Sequence, residues 1–380
     1  MTGPDRPADP AASIQPPDPD PADGPTSNTP SDPDKTPAAD HGDPGASAPL
    51  DRGPARPGLR TFTVEGRAAP GLFVVGWLSF LMGAGLLFVA FAAGVGQSAA
   101  VILAIVGLAL VSLGLVAGAG SQTIERRARA AAALDTASPG PGYAGPSPFL
   151  LFAASVPVAI LLVTVLAAPL LGLGLDPQGP AGTLLSVVVQ ALVYVALIRL
   201  VVVGTGALRW RDMGIGGRTA SELGGDIAWG VLLVVPIVVL TAFVGGLLSF
   251  VLPLPDSPLP PSGGTSGLIV NLLSAAVVAP LGEETFFRGF STTAWARSIS
   301  PRAGLVRAAL FFAAVHVLTV GGTDFADAAG RALFAFATRL PVAFALGAVF
   351  MERRSLASSI ALHASFNGLL VLLAGGISTG

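Results

Sequence analysis

Two adjacent glutamates, two histidines and an asparagine stand out in a chain that otherwise avoids polar side chains. Only six glutamates occur, and two of them, Glu283 and Glu284, lie side by side in an apolar run. Of the three histidines, His41 sits near the start, while His316 and His363 interrupt two later apolar runs. Ionisable groups at membrane depth are costly unless paired or hydrated, so such residues are functional candidates by default. A carboxylate beside an imidazole can take a proton from water, and an amide or imidazole N–H can donate to an oxyanion. Together these are the parts of a hydrolytic site.

Spacing sorts the parts. Glu284 and Arg288 are four residues apart, so they share a helix face and can pair. Glu283, about 100° round the helix, is then left free to act. His363 and Asn367 share a face in the same way, as do Phe312 and His316. Asn367 also suits a role as a hydrogen-bonding tie between helices. The Phe312 ring could shield the His316 imidazole from water, although ordinary packing is the simpler expectation. Arg339 is a further charge in the middle of an apolar run, and a structural ion pair is its expected role.

The elements that must position these residues follow from composition. Of the 380 residues, 52% are hydrophobic and 12% charged, with a mean hydropathy of +0.71. Soluble domains carry about 25% charged residues. There are no cysteines, which excludes disulfides, thiolate metal sites and a cysteine nucleophile. No basic stripe interleaved with aromatics appears, so nucleic acid is not an expected partner. Residues 1–60 hold 15 of the 33 prolines, and residues 1–51 hold ten aspartates against Arg6 and Lys35. Such a segment reads as a disordered cytoplasmic tail.

Beyond Pro70, apolar runs of about 20 residues, the length that spans a bilayer, alternate with polar breaks. Nine are expected: Gly71–Gly94, Ala99–Gly120, Pro148–Leu173, Thr183–Val203, Ile227–Leu252, Leu268–Phe290, Leu305–Val320, Ala332–Phe350 and Leu356–Ala374. Backbone groups in lipid must be satisfied within the segment, so the spans are helices. The fold class expected is therefore an all-α polytopic integral membrane protein, a bundle of about nine transmembrane helices behind a disordered tail. Arginines gather in alternate loops: at 52–67, 126–129, 209–218, 297–302 and 353–354. The loops at 174–182 and 253–267 carry no basic residue, and the 321–331 loop is mixed. Positive loops stay in the cytoplasm, which puts the N-terminus inside and the C-terminus outside. Arginine replaces lysine almost throughout, and alanine, glycine and proline are abundant, as in a bacterium with a GC-rich genome. The expected location is the bacterial inner (plasma) membrane. Glu283, His316 and His363 would then lie roughly 10–20 Å from the cytoplasmic surface, at a depth that lets them share one cavity.

The run Glu283-Glu284-Thr285-Phe286-Phe287-Arg288 resembles the EExxxR motif of the CPBP family, which includes CAAX proteases and bacteriocin-processing enzymes. Phe312-Ala313-Ala314-Val315-His316 resembles its FxxxH motif, and His363-Ala364-Ser365-Phe366-Asn367 its HxxxN motif. The three stand in the family's order on three separate spans, and the resemblance covers about residues 180–376. It implies a membrane protease core over 148–376, to which a hairpin over 70–130 and the tail over 1–60 are additions. It also implies an endopeptidase acting on CAAX-like or bacteriocin-like peptide or protein substrates at the lipid bilayer. In eukaryotes the family trims the last three residues from prenylated CAAX proteins. By the resemblance, Glu283 with His316 would activate water, His363 and Asn367 would hold the oxyanion, and Glu284, Arg288 and Phe312 would support them. Glu283, His316 and His363 are also compatible with a catalytic zinc set. The HExxH helix usual for such a site is absent, so a zinc enzyme and a metal-free glutamate-activated water both stand open.

Two other classes compete. Gly264-Thr265-Ser266-Gly267 resembles the GxSG signature of rhomboid serine proteases, but it lies among turn formers and reads as a linker. A transporter would also carry intramembrane charge, yet the polar set is clustered late in the chain rather than duplicated. A non-catalytic scaffold or immunity protein of the same fold is the remaining alternative.

Overall fold

Proline punctuation sets where the helices begin. Pro70, Pro148, Pro180 and Pro301 each occupy the first turn of a helix, where the missing N–H costs nothing. The computed structural model describes residues 64–378 apart from 65, 95–97, 136–141 and 258. The expected disordered tail over 1–60 lies outside the described residues. The helices are α1 (Pro70–Ala93), α2 (Ser98–Asp135), α3 (Pro148–Leu171), α4 (Pro180–Leu197), α5 (Ala220–Leu232), α6 (Val234–Leu248), α7 (Thr265–Leu272), α8 (Ala279–Glu284), α9 (Thr293–Ser298), α10 (Pro301–Val315), α11 (Phe325–Arg353) and α12 (Leu356–Ser378). Among the described residues there is no strand. The chain is an all-α, multi-pass membrane protein.

Eight helical segments are long and apolar enough to cross a membrane among the described residues. The ninth expected span, Leu305–Val320, is the exception. Its helix, α10, stops at Val315 after 15 residues, a length of about 22 Å against the ~30 Å of hydrocarbon. The reason is His316, whose Nδ1 lies 2.7 Å from the Phe312 carbonyl. A side chain thus takes the bond that the next backbone N–H would have made, and turns follow. α10 still runs antiparallel to α11, since a Cβ on Gly347, near the end of α11, would meet Leu305, near the start of α10.

Two spans change winding, one of them twice. π-helical stretches occupy Ile198–Val203 after α4, Leu273–Val278 between α7 and α8, and Thr285–Thr292 between α8 and α9. In the last, Ser291 Oγ and Thr292 Oγ1 donate to the carbonyls of Phe286 and Phe287 at 2.9 and 2.8 Å. The fifth expected span is likewise broken at Leu233 into α5 and α6. Pro236 has no N–H to return to the preceding turn, which kinks the helix there.

Small residues let the helices approach. A Cβ on Gly83 would come within 2.6 Å of the Gly107 carbonyl, and one on Gly114 within 2.6 Å of the Phe80 nitrogen. This is small-residue packing in an α1–α2 hairpin. At Gly282, beside the paired glutamates, a Cβ would sit 2.7 Å from the α carbon of Ala191 on α4. Gly282→Val is therefore expected to push α8 off α4, costing about 1–3 kcal/mol by overpacking and displacing both glutamates. Loss of the thermal midpoint together with activity would verify it; an unchanged midpoint in detergent would refute it. The core that holds the Thr285–Thr292 stretch is aromatic: Phe286, Phe287 and Phe290 are fully buried against Phe152, Tyr194 and Phe311.

The loops sort into two ends. Asp226, fully buried, binds Arg218 and Arg353, at 3.4 and 2.9 Å. Asp212 binds Arg209 and Arg297, at 3.1 and 3.2 Å, and Arg67 meets Glu125 at 2.7 Å. The arginine-bearing loops are thus tied to one another at one end. At the other end, Arg331 joins Asp327 and Asp256, at 2.9 and 3.3 Å, so the one arginine of the mixed 321–331 loop is locally neutralised. The Arg209–Met213 segment, a short 3₁₀ turn from Trp210, plugs into the core through the fully buried Met213.

Asp212 gives a pH test of this end. Hydrogen bonding by Arg209, reinforced by Arg297, holds its carboxyl down to about 2, below the ordinary ~3.9 of an unfolded chain. A depressed folded-state value contributes stability above pH ~4 that is lost as the pH falls through about 2. The expected contribution is on the order of 1 kcal/mol, because Arg209 is exposed. Asp212→Asn should lower the thermal midpoint near pH 6 and flatten its fall between pH 4 and 2. A wild-type-like curve would refute the pairing.

Candidate active site

The residues of the three motifs come together at the middle of the bundle, on α8, the π-helical stretch after it, α10 and α12. Glu284 is the hub. It is fully buried, and its Oε1 accepts from Arg288 Nη1 at 2.9 Å and from His363 Nδ1 at 2.8 Å. The Glu284–Arg288 pair expected from spacing is present; the bond across to α12 is not something spacing could show. Arg288, 1% exposed, also donates through Nη2 to the Ala343 carbonyl of α11 at 3.3 Å. Its guanidinium lies 4.0 Å from the centroid of the Phe312 ring. That ring is 4.4 Å from the His316 ring and 5.8 Å from the His363 ring. Phe312 thus stacks on the buried cation and packs against both imidazoles.

Glu283 occupies the open side. Its side chain is 24% exposed, and its Oε2 stands 3.6 Å from His316 Nε2 and 3.9 Å from His363 Nε2. Hydrogen bonding fixes the ring orientations. The Phe312 carbonyl can only accept, so His316 carries a proton on Nδ1 and turns Nε2 toward Glu283. Glu284 does the same for His363. Both Nε2 atoms and a carboxylate oxygen thus face one small space, at separations slightly beyond direct hydrogen bonds. A water or a substrate group can bridge there.

Asn367 lies on α12 one turn beyond His363. Its Nδ2 donates to the Ala275 carbonyl at 2.9 Å, in the π-helical stretch before α8. In that winding the carbonyl five residues before Pro280 has no N–H to receive. Asn367 fills the gap, which pins α12 to the glutamate-bearing span, and one amide N–H remains.

Residues 265–369 match the family model described as type II CAAX prenyl endopeptidase Rce1-like. This stretch is an Rce1-like domain, consistent with the CPBP family. No curated protein and no solved structure matches the chain. The Rce1-like domain begins with α7 and ends two residues past Asn367, so it holds every motif residue, while α1–α6 lie outside it. The family is one of proteases.

One side chain packed on the glutamate-bearing span comes from outside the Rce1-like domain: Tyr194 of α4, buried against Phe286. Ser266 is exposed at the head of α7, and both intramembrane histidines are bonded elsewhere, so no rhomboid-type pair forms among the described residues. A depression of about 450 Å³ at the α3–α4 turn, lined by Leu170, Leu173 and Asp176, contains none of the motif residues.

A zinc ion held by Glu283, His316 and His363 needs its ligands about 3.3–3.5 Å apart around bonds of about 2.0–2.2 Å. The two separations here, 3.6 and 3.9 Å, are wider. Among the described residues no group of three His, Cys, Asp or Glu is arranged to hold a metal ion. The set does not fit zinc as it stands, and no step below is routed through a metal.

Proposed function

We propose that this protein is an intramembrane endopeptidase that hydrolyses a peptide bond of a membrane-associated substrate with a water activated by Glu283. The observation that supports it most is the pair of unlike carboxylates. Glu284 is consumed by Arg288 and His363, whereas Glu283 is partly exposed and faces two imidazole Nε2 atoms. One glutamate builds the site and the next is left to react.

Water in the space beside Glu283 gives a proton to its carboxylate as the oxygen attacks the scissile carbonyl carbon. The carbonyl oxygen becomes an oxyanion, and the donors available for it are His363 Nε2 and the remaining Asn367 N–H. For His363 to donate from Nε2 while Nδ1 donates to Glu284, its ring must carry both protons. Collapse of the intermediate breaks the C–N bond, and the proton held by Glu283, relayed by His316, passes to the leaving amine. The arginine-bearing end of the bundle faces the cytoplasm, following the positive-inside rule, with the N-terminus on that side.

The test is mass-spectrometric mapping of new peptide termini in host membranes, comparing wild type with Glu283→Ala at matched expression. Termini that require Glu283 establish the protease and name its substrates. An identical set of termini at good membrane coverage would overturn the proposal in favour of a scaffold or transporter.

A further inference from the structure

Several guanidiniums at the arginine-bearing end are held by acids: Arg67 and Arg129 by Glu125, Arg209 and Arg297 by Asp212, Arg218 and Arg353 by Asp226. Arg127 of α2 and Arg199, just past α4, are not. Among the described residues neither has an ion pair or a hydrogen bond through its side chain, yet both reach one turn. That turn, Gly204–Gly206, follows the π-helical stretch Ile198–Val203 and is closed by the Gly206 N–H, which donates to the Val203 carbonyl at 2.9 Å. Gly206 has φ +75°, and its lack of a side chain lets the Arg127 guanidinium lie against it. A Cβ there would be 2.9 Å from Nη1 and 3.6 Å from both Cζ and Nη2. On Gly204 a Cβ would be 3.3 Å from Arg199 Nη1. Both glycines and both arginines are exposed. Two like charges thus share one open corner of the molecule, each with donors to spare.

The corner lies where lipid headgroups begin. Arg199 stands four residues before Val203, where the span Pro180–Val203 ends, so its backbone is about 6 Å inside that end. Its side chain reaches back to Gly204, as a cation does when it leaves hydrocarbon for the interface. On the same face, one and two turns deeper, Val195, Ala196 and Leu192 are exposed. An apolar stripe therefore runs along α4 and stops at the arginine. Arg127 approaches from the polar end of α2, seven residues beyond Gly120. A soluble anion has no use for the stripe. A phospholipid uses both features at once, with an acyl chain along Leu192 and Val195 and its phosphate between two guanidiniums, each able to grip it with parallel bonds. A zwitterionic lipid would bring a cation of its own to two arginines, whereas an anionic one would not. We infer that Arg127 and Arg199 form a binding site for the phosphate of an anionic phospholipid. The site lies outside the three motifs and stands independently of the protease reading.

The experiment uses the full chain, stripped of lipid in detergent and titrated with dioleoyl phosphatidylglycerol or dioleoyl phosphatidylcholine, with bound lipid read by native mass spectrometry. Wild type should bind the first phosphatidylglycerol about 25-fold more tightly than phosphatidylcholine, the product of about 5-fold for each basic residue near a membrane surface. Arg127→Gln and Arg199→Gln should each weaken phosphatidylglycerol binding about 5-fold, and the double variant should lose the preference altogether. Arg354→Gln, which removes an exposed arginine at the α11–α12 turn, should leave it unchanged. Glycerol 3-phosphate, which has the anion without the chains, should not displace the lipid at equal concentration. The wild-type comparison of two lipids needs no substitution, so it stands whether or not the variants fold. Equal binding of the two lipids overturns the inference, and so does a preference that survives in the double variant. Loss in Arg354→Gln equal to that in Arg199→Gln would assign the binding to the overall charge of this end and overturn it too. Displacement by glycerol 3-phosphate would make the ligand a soluble phosphate, and the lipid site would fall.

Discussion

Glu283→Gln is expected to lower kcat by about 10²–10⁴-fold, the usual contribution of a positioned general base, while leaving the thermal midpoint in detergent close to wild type. The substitution keeps the shape of the side chain and removes its basicity. Little in the packing depends on the charge: Glu283 is partly exposed, and the imidazole nitrogens that face it, at 3.6 and 3.9 Å, stand beyond direct hydrogen-bond reach. Neutralising an intramembrane carboxylate that lacks a tight partner removes a desolvation cost. Activity should therefore fall without a fall in stability, and Glu283→Ala should do the same. Retention of more than about a tenth of wild-type kcat by Glu283→Gln would remove Glu283 from the role of base.

His363 does not belong to the same class, although the sequence treats the two alike. Viewed as a motif residue, His363 contributes chemistry and little packing. In the fold its Nδ1 is a hydrogen-bond partner of a fully buried carboxylate, so His363→Ala removes chemistry and a support of Glu284 at once. Spacing within a helix reveals i,i+4 neighbours, and Glu284–Arg288 was legible for that reason. A contact across 79 residues of sequence was not.

The same division runs through the fold. Apolar run length marks where a chain can cross a bilayer, and eight of the expected spans are long enough to do so. Hydropathy is blind to the backbone inside a run. It continues smoothly past His316, where a side chain ends α10, and through Leu233, where Pro236 breaks the fifth span. The three π-helical stretches carry no compositional mark either. One of them explains why Asn367, expected only as an oxyanion donor or a tie, bonds where it does: Pro280 leaves the Ala275 carbonyl in need of a donor. Arg339 was visible as a charge in an apolar run, but only the fold shows that it donates to the Ala335 carbonyl of its own helix, with no carboxylate in ion-pair range among the described residues.

Arg288→Ala is expected to be the most destabilising single change at the site, by about 3–5 kcal/mol, because it strands a buried charge. Glu284 would lose the Nη1 bond at 2.9 Å while Oε2 already has no hydrogen-bond partner. The same truncation leaves the Ala343 carbonyl without its donor and the Phe312 ring without the cation stacked on it. The measurement is the thermal midpoint of the purified protein in detergent, with a large drop expected. Arg288→Lys should fall between wild type and alanine, since an ammonium can hold Glu284 but cannot also fork to Ala343 and lie flat on the ring. The decisive comparison is the double variant Glu284→Gln with Arg288→Met. It removes both charges, so it should be more stable than Arg288→Ala alone even though it carries more changes. A double variant no more stable than the single would mean that a stranded Glu284 charge is not what Arg288→Ala costs, since methionine also restores most of the lost volume. Glu284 would then need another source for the proton-rich surroundings that keep a carboxylate inside the bundle.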